Sequence, residues 1–337
     1  MNLPTVTLHG TPFERGLQHG ARFRPEIGAA VAKLKSAPDE HRRATALALG
    51  AWPAIQALAP AAAAELEGLA AGTHLALIDA LLLSGFEFFE HPGAVGCSAI
   101  AAAGPNGALV AQNWDAAPSA EAGLALFLHI GPAGFECAII GTVGGLGWVG
   151  CNRQGLAFVN NDLVLSSSGP GLPSQIVRRL ILEETSVPAA IDRLQAVRHR
   201  AGRSYLLGDA TGAVAGVEVS AMHGARVHQT ASPVLHANHA LAPEIAADEA
   251  RGGLEAIYPS SRHRQSVLQR KAPGSATVES IATLLSDTEG QPDAVAKIAS
   301  AQEPTATLFS VIFDCAGRAL HLCAGVPCVG SYERVAW

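Results

Sequence analysis

Three short segments, far apart in the chain, carry side chains that could together break an amide bond. Gly96-Cys97 stands at the start of a strand-like run, and Asp115 ends the pattern Asn-Trp-Asp at the close of the next such run. Asn238 lies between two histidines more than a hundred residues later. A thiol, a carboxylate and a carboxamide can serve as nucleophile, orienting group and oxyanion donor in acyl transfer. The three segments therefore predict attack by the Cys97 thiolate on an acyl carbon.

The glycine before Cys97 suggests how that thiol becomes active. A free cysteine, with a pKa of about 8.5, is only slightly ionised at neutral pH. Cleavage of the Gly96–Cys97 bond would create an α-amine of pKa about 8 on Cys97 itself, placed to take the thiol proton. Glycine also tolerates the strained backbone that an N-to-S acyl shift requires. A cut at Gly96–Cys97 would thus place nucleophile and base in one residue.

Composition limits the class of protein. The chain has 337 residues, of which 49% are hydrophobic and 15% charged, as expected of a globular protein. Its net charge of −6 argues against nucleic acid as a partner. The start shows no secretory signal, and residues 75–89, the most apolar stretch, are too few to span a bilayer, so we expect a cytoplasmic protein without membrane contact. The six cysteines form no CxxC pair, and we expect free thiols with neither metal nor organic cofactor.

Residues 1–92 have a helical pattern. Thr11-Pro12-Phe13-Glu14 forms a capping box, which predicts a helix running towards Ile27. Alanine, the strongest helix former, dominates the segments that follow. Further helices are predicted at about 40–50, 53–71 and 75–90.

From Gly93 onward, short strand-like runs alternate with turn residues. Pairs of runs flank turns such as Gly104–Gly107, a strong hairpin signal. Hairpins are predicted from residues 97–101 and 108–113, 124–130 and 135–141, 147–151 and 156–161, 205–208 and 214–219, and 308–314 and 319–323. Helices are predicted at 173–186, 188–200, 260–271 and 276–286. This order favours antiparallel sheets covered by helices over a parallel βαβ sheet.

Taken together, the motifs resemble a known family. The segments that carry the resemblance are GTPFERGLQHG at 10–20, GCS at 96–98, NWD at 113–115, GCNRQGL at 150–156 and NH at 238–239. In this order they resemble the acyl-coenzyme A:6-aminopenicillanic-acid acyltransferase (isopenicillin-N acyltransferase) family of N-terminal-nucleophile cysteine hydrolases. The resemblance extends over most of the chain.

The resemblance implies a fold and a processing event. The fold would be α+β, a four-layer αββα sandwich with two antiparallel sheets between helical layers. A precursor would cut itself into a mainly helical segment, residues 1–96, and a core, residues 97–337, which stay together as a heterodimer. Cys97 would be the nucleophile, Asp115 the acidic residue beside it and Asn238 the oxyanion-hole asparagine.

Further site residues follow from the same resemblance. Asn161 is the choice for a second oxyanion donor, since the wider superfamily often carries an asparagine near the site, and the backbone amide of a neighbouring residue is the alternative. Trp114 and Trp148 are expected to form walls of the substrate pocket or of the core. Related bile-salt hydrolases have an arginine three residues before the aspartate, where this chain has Gln112. That difference favours the acyltransferase branch over conjugated bile salts.

The predicted reaction is hydrolysis of a small N-acyl amide or amino-acid conjugate through a thioester acyl-enzyme. Acyl transfer from a thioester or amide to an amine is the alternative. Two hypotheses from other functional classes stay open. One is an uncleaved, non-catalytic binding protein on the same fold, and the other is a zinc hydrolase whose ligands include His236 and His239. The expected partners are the small-molecule substrate and the chain's own N-terminal fragment, and a homo-oligomer is an open alternative.

Overall fold

The computed structural model describes residues 3–89, 96–301 and 303–336. The α-helices of these residues are α1 Pro12–Arg22, α2 Arg24–Leu34, α3 Pro38–Leu58, α4 Pro60–Thr73, α5 Leu77–Leu83, α6 Ser174–Leu182, α7 Val187–Ala196, α8 Pro243–Ala246, α9 Arg251–Ile257, α10 Ser261–Lys271 and α11 Val278–Leu285. The strands are β1 Thr5–His9, β2 Gly96–Ala103, β3 Ala108–Ala116, β4 Leu124–Gly131, β5 Gly134–Thr142, β6 Val149–Asn152, β7 Ala157–Asp162, β8 Arg203–Gly208, β9 Val214–Ser220, β10 Gly224–Gln229, β11 Val234–His236, β12 Ala306–Asp314, β13 Ala319–Ala324 and β14 Glu333–Ala336. Short 3-10 helices occur at Phe86–Phe88 and Pro118–Gly123.

The strands form two sheets. One has eight strands in the order β1-β4-β5-β6-β7-β8-β9-β10, and the other has six in the order β11-β2-β3-β12-β13-β14. All five predicted hairpins are present, as β2–β3, β4–β5, β6–β7, β8–β9 and β12–β13. The turn signals in the sequence therefore located most of both sheets.

The expectation of purely antiparallel sheets needs one correction. Strand β1 pairs in parallel with β4 at the edge of the eight-stranded sheet. Its residues alternate between exposed and buried, with Val6 and Leu8 turned inward. This five-residue strand precedes the capping box, within the region predicted to be mainly helical. A short alternating run next to a strong helix signal was missed.

Three apolar cores separate four layers, so the chain has the α+β αββα sandwich. Helices α3 to α7 pack on the outer face of the eight-stranded sheet, through contacts such as Leu180 with Phe158 and Tyr205 in one core. Helices α10 and α11 cover the six-stranded sheet, where Leu268 and Ile281 join Ile100. The third core lies between the two sheets and includes Cys97 and Trp114. The thiol of Cys97 therefore lies in the layer between the sheets.

Helices α1 and α4 approach each other closely at glycines. A Cβ atom on Gly16 would lie 2.0 Å from the carbonyl oxygen of Glu65, and one on Gly68 would lie 2.0 Å from that of Phe13. The predicted capping box begins α1, with the Thr11 side chain accepting from the Glu14 backbone. The glycines of the N-terminal motif are therefore needed for contact between the two backbones.

Several predicted helix boundaries were wrong, and proline explains two of them. Helix α1 ends at Arg22 and α2 starts again at Arg24, with Pro25 in its first turn, so one helix does not reach Ile27. Helix α3 continues through Pro53, and the break falls at Ala59, before Pro60. A proline is favoured in the first turn of a helix, and here Pro60 rather than Pro53 holds that place.

Other boundaries were also inexact. The helix predicted at 75–90 is α5 followed by the 3-10 turn Phe86–Phe88, and residue 90 lies outside the described residues. Gly93, where the helical pattern was predicted to give way to strands, also lies outside them. The helices predicted at 173–186 and 188–200 are the shorter α6 and α7. Strands β10 and β14 and helices α8 and α9 were not predicted. Among the described residues, no single helix is long and apolar enough to cross a bilayer, although α4 and α5, bent by 115°, pass that test as a pair on length and composition alone.

Candidate active site

Strands β2 and β3 place Cys97 and Asp115 on opposite faces of the six-stranded sheet. Cys97 pairs with Trp114, and Gly96 pairs with Asp115. Side chains alternate between the two faces along a strand. Cys97 and Trp114 belong to the core between the sheets, whereas Asp115 points to the other face, as does Asn113, which donates to backbone carbonyls near α11. The carboxylate was predicted beside Cys97, and it lies across the hairpin from the neighbouring residue Gly96.

Asp115 has one free carboxylate oxygen beside Gly96. Its Oδ1 accepts a hydrogen bond of 2.7 Å from the Thr307 hydroxyl. Its Oδ2 has no hydrogen-bond partner among the described residues and lies 3.3 Å from the point where a Cβ on Gly96 would stand. The side chain is fully buried. A buried carboxylate oxygen without a partner therefore adjoins the residue that precedes Cys97.

Asn238 holds the backbone nitrogen of Cys97. Its Oδ1 accepts from the Cys97 N–H at 3.0 Å, and its Nδ2 donates to the Asp162 carbonyl at 3.2 Å. The Asn238 N–H is fixed by the Ser261 hydroxyl at 2.8 Å. A carboxamide nitrogen has two hydrogens, and Asp162 takes one. The sequence-predicted asparagine thus reaches Cys97, through its oxygen.

Arg264, on α10, is a site residue that the sequence reasoning missed. It donates to the Cys97 carbonyl oxygen, to the Ser98 hydroxyl at 3.1 Å and to the Asn238 Oδ1 at 2.8 Å. The residue is completely buried. Its position three and four residues before Val267 and Leu268 puts it on the apolar face of α10, which is the signal that could have found it.

Asn161, on β7, contacts the same carbonyl group. Its Nδ2 donates to the Cys97 oxygen at 3.1 Å and to the His236 oxygen at 3.2 Å. Its Oδ1 is buried without a partner among the described residues. Asn161 is therefore next to Cys97, as predicted, and its donor group lies on the carbonyl of Cys97 itself.

The electrostatic surroundings favour the protonated form of the Cys97 thiol. Burial, and next the charge of Asp115, raise the pKa of the Cys97 thiol well above its ordinary value, although the Arg264 guanidinium acts in the opposite direction. Burial also raises the pKa of Asp115, against the lowering effects of Arg264, Lys297 and the Thr307 hydrogen bond. A thiolate at this position therefore needs a base to take its proton.

A cavity of about 410 Å³ lies beside Cys97. Its aromatic wall contains Trp114 and Trp148, with ring centres 5.9 Å apart, and Phe86, 5.4 Å from Trp148. The remaining lining residues are Lys33, Ala116, Ala117, Ser119, Ala120, Thr142, Asn160, Asp162, Arg178 and Arg203. A larger cavity of about 820 Å³ lies near α3 and is lined by none of the predicted site residues. The smaller cavity therefore gives the Cys97 thiol a space of ligand size.

Glu218 and His236 anchor the loop that carries Asn238. The Glu218 carboxylate contacts His236 Nε2 at 2.8 Å and accepts from the backbone N–H groups of Leu241 and Ala242. Both side chains are completely buried. The other ring nitrogen of His236, Nδ1, lies 2.7 Å from the carbonyl oxygen of Ala237. These contacts fix both ends of the segment from His236 to Ala242.

The zinc hypothesis paired His236 with His239, and the structure gives these histidines different partners. His239 Nδ1 lies 2.8 Å from the Ser261 hydroxyl. Within the described residues, the side chains close enough to share an ion are Glu218, His228 and His236, whose ligand atoms lie within 4.8 Å of one another. The predicted pair therefore does not come together as a ligand set.

Comparison with known proteins agrees with this architecture. The family model of acyl-coenzyme A:6-aminopenicillanic acid acyl-transferase matches residues 102–328, a span that includes Asp115, Asn161, Asn238 and Arg264 and starts five residues after Cys97. The 40 kDa form of acyl-coenzyme A:6-aminopenicillanic-acid-acyltransferase from Emericella nidulans is 27% identical over 342 residues, covering 96% of this chain and 92% of the relative.

Solved structures with lower similarity include two amide hydrolases. The N-acylethanolamine-hydrolyzing acid amidase ortholog of Caenorhabditis elegans has a TM-score of 0.46 at 12% identity, covering 65% of this chain and 93% of its own. Penicillin V acylase from Agrobacterium tumefaciens has a TM-score of 0.42 at 15% identity, covering 68% and 82%.

The two sheets packed face to face between helical layers form the αββα sandwich of the N-terminal-nucleophile fold. Because the family model matches about two thirds of its length, the chain belongs to the acyl-coenzyme A:6-aminopenicillanic acid acyltransferase family.

Proposed function

We propose that the chain cuts itself between Gly96 and Cys97 and then hydrolyses a small N-acyl amide through a thioester on Cys97. One observation carries the proposal. Three polar side chains, Asn238, Asn161 and Arg264, hold the backbone nitrogen and oxygen of Cys97, while its thiol faces a cavity. An ordinary core cysteine does not need its backbone fixed by buried side chains from a strand, a helix and a loop.

Self-cleavage begins with attack of the Cys97 sulfur on the Gly96 carbonyl carbon. The S–C bond forms and the peptide C–N bond breaks, which leaves Gly96 as a thioester and Cys97 with a free amine. The thiol proton passes to the departing nitrogen as the C–N bond breaks, and Asp115, whose free Oδ2 lies beside Gly96, orients the scissile bond from the other face of the sheet. Water then hydrolyses the thioester, which releases the Gly96 carboxylate and regenerates the thiol.

The new amine of Cys97 acts as the base in turnover. Its nitrogen stays next to Asn238 Oδ1, which also accepts from Arg264. The nearby guanidinium disfavours a second positive charge, so it favours the neutral amine that can accept the thiol proton. The side chain of Asp115 orients the amine from the other face of the sheet.

Turnover follows the same order of steps, with the amide bond of a substrate in place of the Gly96–Cys97 peptide bond. The thiolate attacks the substrate carbonyl, and the second N–H of the Asn238 carboxamide donates to the oxyanion, an interaction worth about 3 kcal/mol of the barrier. The C–N bond breaks, the amine leaves with the proton, and the acyl group remains on Cys97 as a thioester. Water attacks the thioester, giving the carboxylic acid and the free thiol.

Acyl transfer is the second candidate, and membership of the acyltransferase family supports it. An amine would then replace water in the last step. The two activities share the thioester intermediate and differ only in which nucleophile reaches it. Acyl donors of both kinds, amides and thioesters, are compatible with a cavity beside Cys97.

Trapping of the acyl-enzyme tests the proposal. After incubation with p-nitrophenyl octanoate, we expect the 97–337 fragment to carry one octanoyl group that hydroxylamine removes, as for a thioester. Cys151→Ala is the matched control, since Cys151 is also buried between the sheets. It should be labelled like the wild type, and Cys97→Ala should not be labelled. An uncut chain that takes no label would favour the alternative hypothesis of a non-catalytic binding protein.

A further inference from the structure

Arg178, on α6, is a buried cation without a carboxylate partner. It is 2% exposed, and within residues 3–89, 96–301 and 303–336 no acidic group lies within 4.0 Å of it. Its Nη1 donates to the Gly147 carbonyl at 3.1 Å, and its guanidinium lies 5.0 Å from the centre of the Trp148 ring. Its Nε has no hydrogen-bond partner among these residues. A buried charge costs several kcal/mol unless it is paired, so this arginine needs an explanation.

The neighbouring buried arginines differ from Arg178 in this respect. Arg179 forms a two-bond ion pair with Glu65, at 2.9 and 2.8 Å. Arg203 pairs with Glu87 at 3.1 Å and with Asp162. Arg264 has no carboxylate partner but donates to four neutral acceptors around Cys97. Arg178 donates to one such acceptor, the Gly147 carbonyl, and is otherwise close to the Tyr205 side chain. Burial lowers the pKa of Arg178, and Tyr205 and Glu87 raise it against that effect. Of the four, only Arg178 has, among the described residues, neither an acidic partner at pairing distance nor a partner for its Nε.

Arg178 lines the cavity beside Cys97. The charged residues of the lining are Lys33, Arg178 and Arg203 against the single acid Asp162. Asp162 is paired with Arg203, and the buried Glu87, the second partner of Arg203, does not line the cavity. Within the described part of the chain, the cations of the lining without an acidic partner at pairing distance are therefore Arg178 and the exposed Lys33. A cleft with an excess of one sign attracts ligands of the opposite sign, and this cleft is cationic in a chain of net charge −6.

We propose that Arg178 binds a carboxylate of the substrate, so that the preferred substrates are N-acyl amino acids and not neutral amides. The proposal rests on the function proposed above. The acyl group lies against the aromatic wall of Trp114, Trp148 and Phe86, and the carboxylate of the amino-acid part pairs with Arg178. The planar guanidinium fork matches a carboxylate, and a hydrogen bond between charged groups is stronger than one between neutral groups.

Hydrolysis of such a substrate consumes one water molecule and no other co-reactant. Cys97 takes the acyl group as the amide C–N bond breaks, and the amino acid leaves as its amine with the thiol proton. Water then releases the acyl group as a carboxylic acid. Arg178 stays protonated throughout, because burial lowers its pKa only to about 10.

The first test compares N-octanoylglycine with N-octanoylglycinamide, which differ only in a carboxylate against a neutral amide. We expect the wild-type protein to hydrolyse the acid with a kcat/KM about 100-fold higher. In Arg178→Gln, the KM for N-octanoylglycine should rise about tenfold or more, while kcat and the kcat/KM for the glycinamide change less than about threefold. Arg178→Lys should keep part of the preference, since it keeps the charge.

Arg200→Gln is the matched control, because Arg200 is also buried and stacks on an aromatic ring, Phe88, but lines the other cavity. It should leave the preference intact. Equal kcat/KM for the two substrates in the wild type would overturn the proposal, as would a preference that persists in Arg178→Gln.

A binding measurement separates this proposal from the catalytic one. Calorimetric titration of Cys97→Ala, which cannot cleave itself or the substrate, should show N-octanoylglycine binding about tenfold or more tighter than the glycinamide, and Arg178→Gln should abolish the difference. Equal affinities overturn the carboxylate site even when self-cleavage and acyl-enzyme formation occur. A clear difference in affinity supports it even when Cys97 shows no reactivity.

Discussion

The atoms of Cys97 are divided between two environments. Its thiol faces the core between the sheets and the adjoining cavity, whereas Arg264 reaches its backbone oxygen from the outer helix α10. Asn238 Oδ1 accepts from the backbone N–H of Cys97, and Asn161 Nδ2 donates to its backbone oxygen. The contact with Asn238 fixes the nitrogen of the Gly96–Cys97 peptide bond, and the other two contacts fix the carbonyl oxygen of Cys97 on its other side. At the scale of single residues, the contacts therefore hold the backbone of Cys97, as the proposed attack on the Gly96 carbonyl requires.

Arg264 should be necessary for self-cleavage. Arg264→Gln removes a buried charge that donates to the Cys97 oxygen, the Ser98 hydroxyl and Asn238. Because the backbone of Cys97 would no longer be held for attack on the Gly96 carbonyl, we expect the rate of processing, followed by denaturing gel after dilution from denaturant, to fall about 100-fold or more. Arg264→Lys should recover only a small part, because an ammonium cannot reproduce the planar fork. Processing at the wild-type rate in Arg264→Gln would show that this network is only structural.

Asp115 should make the stability of the uncut chain depend on pH. Burial raises its pKa, so its contribution to the free energy of unfolding is fully present below the ordinary carboxyl pKa and is lost as pH rises through the raised value. Asp115→Asn cannot ionise and should lack this decline. In a Cys97→Ala background, urea unfolding should show Asp115→Asn gaining stability relative to Asp115 between about pH 4 and about pH 8.

The same substitution separates stability from function. With Cys97 present, Asp115→Asn should reduce self-cleavage about 100-fold or more while the uncut protein stays folded. A stability difference that is the same at both pH values would contradict the raised pKa of the buried carboxyl.

Residue types and motifs were sufficient to find Cys97, Asp115, Asn238 and Asn161 as neighbours. They could not give the roles of individual atoms, because the face of a strand on which a carboxylate lies depends on the register of one residue. Arg264 escaped because α10 has several basic residues, and only the helical period separates the buried one from the exposed ones.

At the scale of elements, the contact between α1 and α4 supports the cavity. His19, on α1, accepts the Gly144 N–H through Nε2 at 3.0 Å, and the loop of Gly144 leads to Trp148 in the cavity wall. Burial lowers the pKa of His19 to about 3, so its ring stays neutral and able to accept. The close approach of the helix backbones at their glycines sets the position of His19.

Gly16→Ala should destabilise the protein through that contact. Its Cβ would lie 2.0 Å from the Glu65 carbonyl oxygen, a backbone atom that cannot move away cheaply, and we expect a loss of about 3 kcal/mol or more in the free energy of unfolding. Gly28→Ala is the matched control, since Gly28 is also helical but has no atom within 4 Å of the added methyl.

Gly28→Ala should gain about 0.5–1 kcal/mol from helix propensity. Urea unfolding of both variants in the Cys97→Ala background measures the difference. A Gly16→Ala protein as stable as its parent would show that α1 and α4 do not pack this closely.

The order of elements followed from turn chemistry and helix composition, which are local. All five predicted hairpins form because Gly, Pro and Asn fix tight turns between adjacent strands. The parallel pairing of β1 with β4 joins residues about 120 positions apart, such as Val6 with Phe127, and no local signal encodes it. The break between α3 and α4 depended on which of two prolines begins a helix.

For the whole molecule, the two expected fragments share cores and a sheet. Strand β1 of the 1–96 fragment lies in the eight-stranded sheet, and residues of α3 and α4 join a core with strands of the 97–337 fragment. Separation would expose that apolar surface to water at about 25 cal/mol for each Å². We therefore expect the cut protein to elute as one complex under native conditions and to separate only when denatured.

Intact mass of the purified protein under denaturing conditions, measured beside Cys97→Ala, tests the central claim most directly. We expect two chains, ending at Gly96 and starting at Cys97, in the wild type, and one continuous chain in Cys97→Ala. A single uncut chain in both would contradict an N-terminal nucleophile at Cys97, and a wild type cut at another bond would contradict it equally.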